Sequence, residues 1–151
     1  NVMRGYLDPT KPFGIDLLPQ GWHDTGDVVD VDEDGFIRIL GRVKRFAKIG
    51  GEMVSLNAVE GYAQQLWPSA THAAISMPDP RKGERIVLFT SQQDADSSAM
   101  VAWCKENGVA DLAVPKRIVC VEEIPVLGTG KTDYVALGRM ATDLLARAEA
   151  A

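Results

Sequence analysis

The sequence is poor in the residues that build metal, redox or hydrolytic centres, with two cysteines and two histidines in 151 residues. Cys104 and Cys120 match no metal-binding or redox spacing, so we expect free thiols in a reducing cytoplasm rather than a disulfide framework. His23 and His72 fit no ligand pattern and no Ser-His-Asp arrangement, and His72 lies in an apolar segment typical of a structural histidine. No apolar run approaches the roughly 20 residues that a membrane-spanning helix needs.

An excess of positive charge is also missing, since the net charge is -5. This balance disfavours nonspecific nucleic-acid binding. Hydrophobic residues make up 46% of the chain and charged residues 25%, which is typical of a globular protein with its own core. The chain begins at Asn1 without a start methionine, and it has no signal-peptide pattern, so we expect a fragment excised from a longer protein.

The first 40 residues indicate loops and short strands rather than an independent domain. Turn-forming Gly and Pro dominate residues 1–26. Residues 28–40 predict a β-hairpin whose turn, residues 32–35, ends in Asp-Gly. We expect this segment to be the end of a larger domain.

From residue 45 onward the patterns predict, in order, a β-hairpin, a helix, two strands, a helix, a strand and a helix. The hairpin turns at Gly50-Gly51, and Ser55 caps a helix over residues 56–66. Strands are predicted over 71–77, 85–91 and 118–121, and helices over 98–107 and 134–148. This is an α+β domain, a small sheet covered by helices. We place the boundary so that residues 1–43 end one domain and residues 44–151 form the other.

Two motifs invite ligand-binding interpretations that the residues themselves weaken. Asp30, Asp32, Asp34 and Gly35 match the start of a calcium loop, but the twelfth position is Gly41 instead of a bidentate Glu, and a hairpin turn is favoured. Residues 128–132 (GTGKT) resemble a P-loop, but the first glycine of that motif is replaced by Pro125, so we reject it. Local chemistry alone favours a solvated Lys131 in a turn.

The sequence also holds three charged residues that carry little information singly. Asp27 enters a predicted strand after a polar turn, where a carboxylate can accept bonds from sugar hydroxyls or cap the turn. Arg42 and Lys44 form a basic stretch at the proposed boundary, which fits phosphate contacts or a solvated charge cluster.

Taken in order, these segments resemble the adenylate-forming superfamily, which includes acyl-CoA synthetases, peptide-synthetase adenylation domains and firefly-type luciferases. The resemblance runs over nearly the whole chain and rests on residues 21–27 (GWHDTGD), 35–36 (GF), 41–54 (GRVKRFAKIGGEMV), 59–60 (VE) and 124–133 (IPVLGTGKTD). Residues 48–56 and 125–131 look most like acyl-carrier-protein synthetases, including the synthetase half of the bifunctional 2-acylglycerophosphoethanolamine acyltransferase.

The resemblance implies an enzyme that uses ATP and Mg²⁺ to activate a fatty acid as acyl-AMP. It implies transfer to a phosphopantetheine thiol, that of acyl carrier protein or, as the alternative, of coenzyme A. A noncatalytic module that binds a carrier protein or regulates a partner is the competing class. In the family pattern Asp27 and Arg42 match residues at the ATP ribose, and Lys44 matches the hinge about which the C-terminal domain rotates.

The resemblance also implies two active-site lysines. Lys131 matches the lysine that bridges the carboxylate and the α-phosphate during adenylation. Lys48 and Gly50-Gly51 match the segment brought to the active site for thiol attack. Leu127 departs from the common threonine, which shifts weight toward the carrier-protein subgroup, and His23 stands where an aromatic residue is usual. The phosphate loop, the adenine pocket and the acyl pocket of the family lie upstream of these motifs, so we expect this chain to be inactive by itself.

Overall fold

A computed structural model describes residues 4–17 and 22–149, with side chains as far as residue 144. The chain divides into two compact units, Asn1–Leu40 and Gly41–Ala151. In the part of the chain so described, no helix is long and apolar enough to cross a membrane.

The first unit is made of paired short strands. Strands β1 (Gly5–Leu7) and β2 (Ile15–Leu17) pair antiparallel, and β3 (Asp27–Val31) pairs with β4 (Ile37–Arg42). The prediction of short strands among loops, followed by a hairpin over residues 28–40, is confirmed.

The turn between β3 and β4 is the segment that resembles a calcium loop. The Asp32 carboxylate accepts the backbone N–H groups of Asp34 at 3.1 Å and Phe36 at 2.8 Å, and Gly35 has φ 84°. Strands flank this turn on both sides, and within the described residues no three His, Cys, Asp or Glu side chains could hold a metal ion together. The Asp32 carboxylate therefore holds a hairpin turn together, as the favoured interpretation has it.

After the end of β4, the second unit continues with a single 3₁₀ turn, Val43–Arg45, and a tight hairpin. Strand β5 (Phe46–Ile49) pairs antiparallel with β6 (Glu52–Ser55), and Ile49 faces Glu52 across a two-residue turn. Gly50 and Gly51 have φ angles of 61° and 94°, the two positive values that a type I′ turn requires.

We expect Gly51→Ala to lower the free energy of unfolding by about 1–2 kcal/mol, because an L side chain is strained at positive φ. A Cβ on Gly51 would meet no atom within 4 Å, so the loss comes from the backbone alone. Gly61→Ala is the matched control, since it fills equally open space inside a helix and should stabilise the protein by about 0.5–1 kcal/mol. Urea denaturation of the two variants should show opposite shifts, and shifts of the same sign would contradict the turn assignment.

Helix α1 (Leu56–Leu66) begins at its predicted cap and ends before Pro68. The Ser55 hydroxyl accepts the backbone N–H of Ala58 at 3.3 Å, which satisfies one of the free amides of the first turn. The predicted helix over residues 56–66 is confirmed.

The next two strands extend two residues further into the loop that connects them than the sequence predicted. Strands β7 (His72–Asp79) and β8 (Gly83–Thr90) pair antiparallel along their whole length, and only residues 80–82 connect them. The predicted ends at residues 77 and 85 were wrong because Pro and Gly were taken as loop residues. Pro78 is tolerated because β7 is an edge strand, and the Asp79 carboxylate holds the turn by accepting the N–H groups of Arg81 and Lys82.

The remaining elements match their predictions to within one residue. They are α2 (Ser97–Glu106), β9 (Arg117–Cys120) and α3 (Tyr134–Glu149). The predicted α+β element order is confirmed.

The sheet has helices on both faces. Its strand order is β6-β5-β8-β7, with β9 parallel to the second half of β8. Alternate residues of the strands enter two separate cores. One core packs against α1 and contains Ala47, Ile49, Leu56, Val59, Ala63, Ala74, Ile86 and Leu88; the other packs against α3 and contains Ala73, Ile75, Val87, Phe89, Leu137 and Ala141.

The cysteines are the free thiols that were predicted, and His72 has the structural role predicted for it. Cys104 is buried and Cys120 is exposed, and both are free thiols. Burial raises the pKa of the Cys104 thiol, which keeps it protonated and unreactive at neutral pH. The His72 ring nitrogen Nε2 lies 3.0 Å from the carbonyl oxygen of Trp67, a contact that joins the end of α1 to β7.

Candidate functional site

Lys131 directly follows a tight three-residue loop, residues 128–130. The Leu127 N–H donates to the Lys131 carbonyl at 2.7 Å, and the Gly130 N–H donates to the Leu127 carbonyl at 2.8 Å. Gly130 has φ 79°, so the loop is a turn followed by a glycine bulge. The Lys131 side chain is exposed. A hydrogen-bonded loop therefore carries a lysine that is exposed to solvent.

The segment after Lys131 joins this loop to α3. The Asp133 carboxylate accepts the N–H groups of Val135 at 3.0 Å and Ala136 at 2.9 Å, and its own N–H donates to the Pro125 carbonyl at 2.8 Å. Because the Asp133 carboxylate occupies two first-turn amides, these amides do not form a P-loop cradle. This geometry agrees with the rejection of the P-loop.

Lys48 lies on the solvent side of β5. Its neighbours Ala47 and Ile49 are buried, and strand alternation turns Lys48 to the opposite face. The Lys48 backbone N–H donates to the Glu84 carboxylate, and the Gly50 N–H donates to the Lys82 carbonyl at 2.8 Å. The β5–β6 hairpin is thus hydrogen-bonded to β8, while Lys48 and the Gly50-Gly51 turn remain exposed to solvent.

Arg42 directly precedes the 3₁₀ turn and Lys44 lies in it, and both residues are exposed. The backbone is extended at Arg42 (φ -104°, ψ 139°) and again at Phe46 (φ -119°, ψ 141°), and the turn holds no buried residue. Val43 and Lys44 are exposed, whereas Arg45 at the end of the turn is partly buried.

Asp27 is the first residue of β3, in the first unit, and its side chain is half-buried. Its N–H donates to the Thr25 hydroxyl at 3.2 Å, and the Gly26 N–H donates to the Asp24 carboxylate at 2.8 Å. The side chains of Asp24 and Thr25 thus hold the turn that leads into β3.

The structure groups the predicted residues into separate places. Lys48, Gly50 and Gly51 share one hairpin, whereas Lys131 belongs to the loop before α3. One compact unit therefore carries two distinct exposed lysines.

Sequence reasoning missed a cluster formed by Arg45, Glu60 and Tyr134. Glu60 follows the buried Val59 and lies one helical turn after the buried Leu56. A carboxylate beside an apolar stripe needs a partner, and this signal could have pointed to an upstream arginine.

The chain is similar in sequence to a known domain family and to several ligases. Residues 68–131 match the AMP-binding enzyme C-terminal domain family. The chain is 35% identical over 144 residues to a 2-hydroxy-7-methoxy-5-methyl-1-naphthoate–CoA ligase of Streptomyces carzinostaticus, covering 91% of this chain and 26% of the relative. It is 33% identical over 135 residues to a medium-chain fatty-acid–CoA ligase of Escherichia coli (strain K12), covering 87% and 24% respectively.

A solved structure shares the fold. An amide bond synthetase from Marinactinospora thermotolerans aligns with a TM-score of 0.66 at 30% identity, over 82% of this chain and 26% of the synthetase. The chain spans about a quarter of the length of each of these three proteins.

Proposed function

This chain belongs to the AMP-binding enzyme C-terminal domain family, and from that premise we propose that it is the mobile C-terminal part of an ATP-dependent acyl ligase. The ligase activates a carboxylic acid, proposed to be a fatty acid, as acyl-AMP and transfers the acyl group to a phosphopantetheine thiol. The observation that carries the proposal is the pair of exposed lysines, Lys131 beside a loop and Lys48 on strand β5, in one compact unit.

Lys131 acts in the first half-reaction. A carboxylate oxygen of the acid attacks the α-phosphorus of ATP, and pyrophosphate leaves. Negative charge gathers on the α-phosphate, and a lysine ammonium stabilises it as a point charge. The exposed lysine on a hydrogen-bonded loop fits this task, since its position is set by the backbone. Mg²⁺, which would share the neutralisation of phosphate charge, is assigned to residues outside this chain.

Lys48 and the turn Gly50-Gly51 act in the second half-reaction. The thiol attacks the acyl carbonyl and AMP leaves, so the hairpin must lie close to the pantetheine arm. Glycines without side chains let the backbone approach that arm closely. The hydrogen bond from the Lys48 N–H to the Glu84 carboxylate supports this role. It holds the β5–β6 pair, which carries the turn, against β8.

The remaining assignments concern ATP and the movement between the two reactions. We assign Asp27 and Arg42 to the ribose of ATP and Lys44 to the hinge, with residues 1–43 ending the larger domain and residues 44–151 rotating. The exposure of Val43 and Lys44 supports a hinge at Lys44, directly before the packed Arg45.

Two acceptors have support. The segments around Lys48 and Lys131 resemble carrier-protein synthetases, which favours acyl carrier protein. Both curated relatives described above are named as CoA ligases, which favours coenzyme A.

The 151-residue chain, given ATP, Mg²⁺ and a fatty acid, is expected to release no pyrophosphate above background, whereas the full-length enzyme forms acyl-AMP. The acceptor is identified by supplying the full-length enzyme with carrier protein or coenzyme A and following thioester formation. Pyrophosphate release by the chain alone would contradict the proposal that acyl-AMP formation needs the rest of the enzyme. A full-length protein that makes no acyl-AMP with any acid tested would favour the noncatalytic module.

A further inference from the structure

Arg45, the last residue of the 3₁₀ turn, has its side chain fully engaged. Its Nη2 lies 2.6 Å from Glu60 Oε1, its Nη1 donates to the Ala74 carbonyl at 2.8 Å, and its Nε donates to Asn57 Oδ1 at 3.1 Å. The guanidinium carbon lies 4.0 Å from the centre of the Tyr134 ring, a cation–π contact. One side chain therefore contacts α1, β7 and α3.

Glu60 is the second centre of this cluster. Its Oε1 accepts from Arg45, from the Ala74 N–H at 2.8 Å and from the Tyr134 hydroxyl at 3.2 Å. The side chains of Arg45 and Glu60 are only 14% and 20% exposed. Partial burial limits screening by water, so the charged hydrogen bond between Arg45 and Glu60 is stronger than it would be at a fully exposed site.

Tyr134 is suited to close the cluster. Burial raises the pKa of its phenol, and the negative charge of Glu60 raises it further, so the hydroxyl stays protonated and donates at neutral pH. Tyr134 is the first residue of α3 and stands three positions after Lys131, while Arg45 directly follows Lys44.

We propose that Arg45, Glu60 and Tyr134 are positioning residues that clamp the chain leaving the hinge to the start of α3, so that the Lys131 loop turns with the hinge as one body. The catalytic and hinge roles in this statement rest on the proposed function; the clamp itself rests on the contacts above. None of the three touches the reacting atoms.

The clamp is tested first on the 151-residue chain, without reference to activity. Tyr134→Leu removes both the ring and the hydroxyl, and we expect amide exchange at Leu127 and Gly130 to accelerate about tenfold or more. Tyr134→Phe keeps the ring over Arg45 and should show a smaller change. Val135→Ala, on the same turn and exposed, is the control and should show none. Unchanged exchange in the loop, or an equal rise throughout the β7–β8 pair, would overturn the clamp.

The second test uses the full-length enzyme and a double-mutant cycle. Tyr134→Leu should lower kcat for acyl-AMP formation about tenfold with KM for ATP unchanged, since misplacing a catalytic group is costly without weakening substrate binding. With Lys131→Ala already present, Tyr134→Leu should cause no further loss, whereas independent effects would multiply and reject the clamp. If Lys131→Ala alone leaves the rate intact, the proposed function fails while the exchange result still judges the clamp.

Discussion

Replacing Lys131 with alanine in the full-length enzyme is expected to lower the rate of acyl-AMP formation by about 100- to 1000-fold, the usual effect of removing one group that stabilises developing charge. The loop around Lys131 is held by backbone hydrogen bonds of 2.7 Å and 2.8 Å that do not involve its ammonium group. Truncation of the side chain should therefore leave the loop folded, and the loss should be chemical.

The measurement separates the two half-reactions. Pyrophosphate exchange reports acyl-AMP formation, and thioester formation from preformed acyl-AMP reports transfer. Lys131→Ala should impair the first far more than the second, and Lys48→Ala should show the reverse. Lys105→Ala, which removes an exposed lysine from the end of α2, is the control and should alter neither. Equal loss of both steps in Lys131→Ala would point to misfolding or to another role.

Leu137→Ala is expected to lower the free energy of unfolding by about 2–5 kcal/mol, the range for a leucine removed from a tight core. Leu137 is fully buried and packs with Val87 and Phe89 in the core between α3 and the sheet. Because a small domain is stable by only about 5–15 kcal/mol, this one change removes a large part of its stability.

Urea denaturation followed by the helical circular dichroism signal at 222 nm measures this loss, since all three described helices belong to the second unit. Val135→Ala, two residues earlier and 66% exposed, should change stability by less than about 0.5 kcal/mol. Matching shifts in the two variants would mean that α3 does not pack as described. The result bears on function, because α3 and its Asp133 cap support the Lys131 loop.

The predicted elements that proved correct are those encoded by a few adjacent residues. The Gly50-Gly51 turn needs two positive φ angles, and the start of α1 needs one capping hydroxyl, at Ser55. The β7–β8 connection was misplaced because Pro78 and Gly83 carry a loop signal that pairing overrides. Pro78 pairs with Glu84 and Asp79 with Gly83, and this pairing depends on the opposite strand.

The sequence by itself determined the order of strands and helices, which depends on alternation and turn chemistry acting over a few positions. Local chemistry left Lys131 as a solvated turn residue, and only the resemblance of the ordered motifs to a known family singled out Lys131 and Lys48 for catalysis. Only the tertiary structure decided the order of strands in the sheet, the division into two cores and the clamp near the proposed hinge. The clamp joins Arg45 to Glu60 across 15 residues and Glu60 to Tyr134 across 74 residues. No local pattern encodes such pairs, since packing of distant segments brings them together.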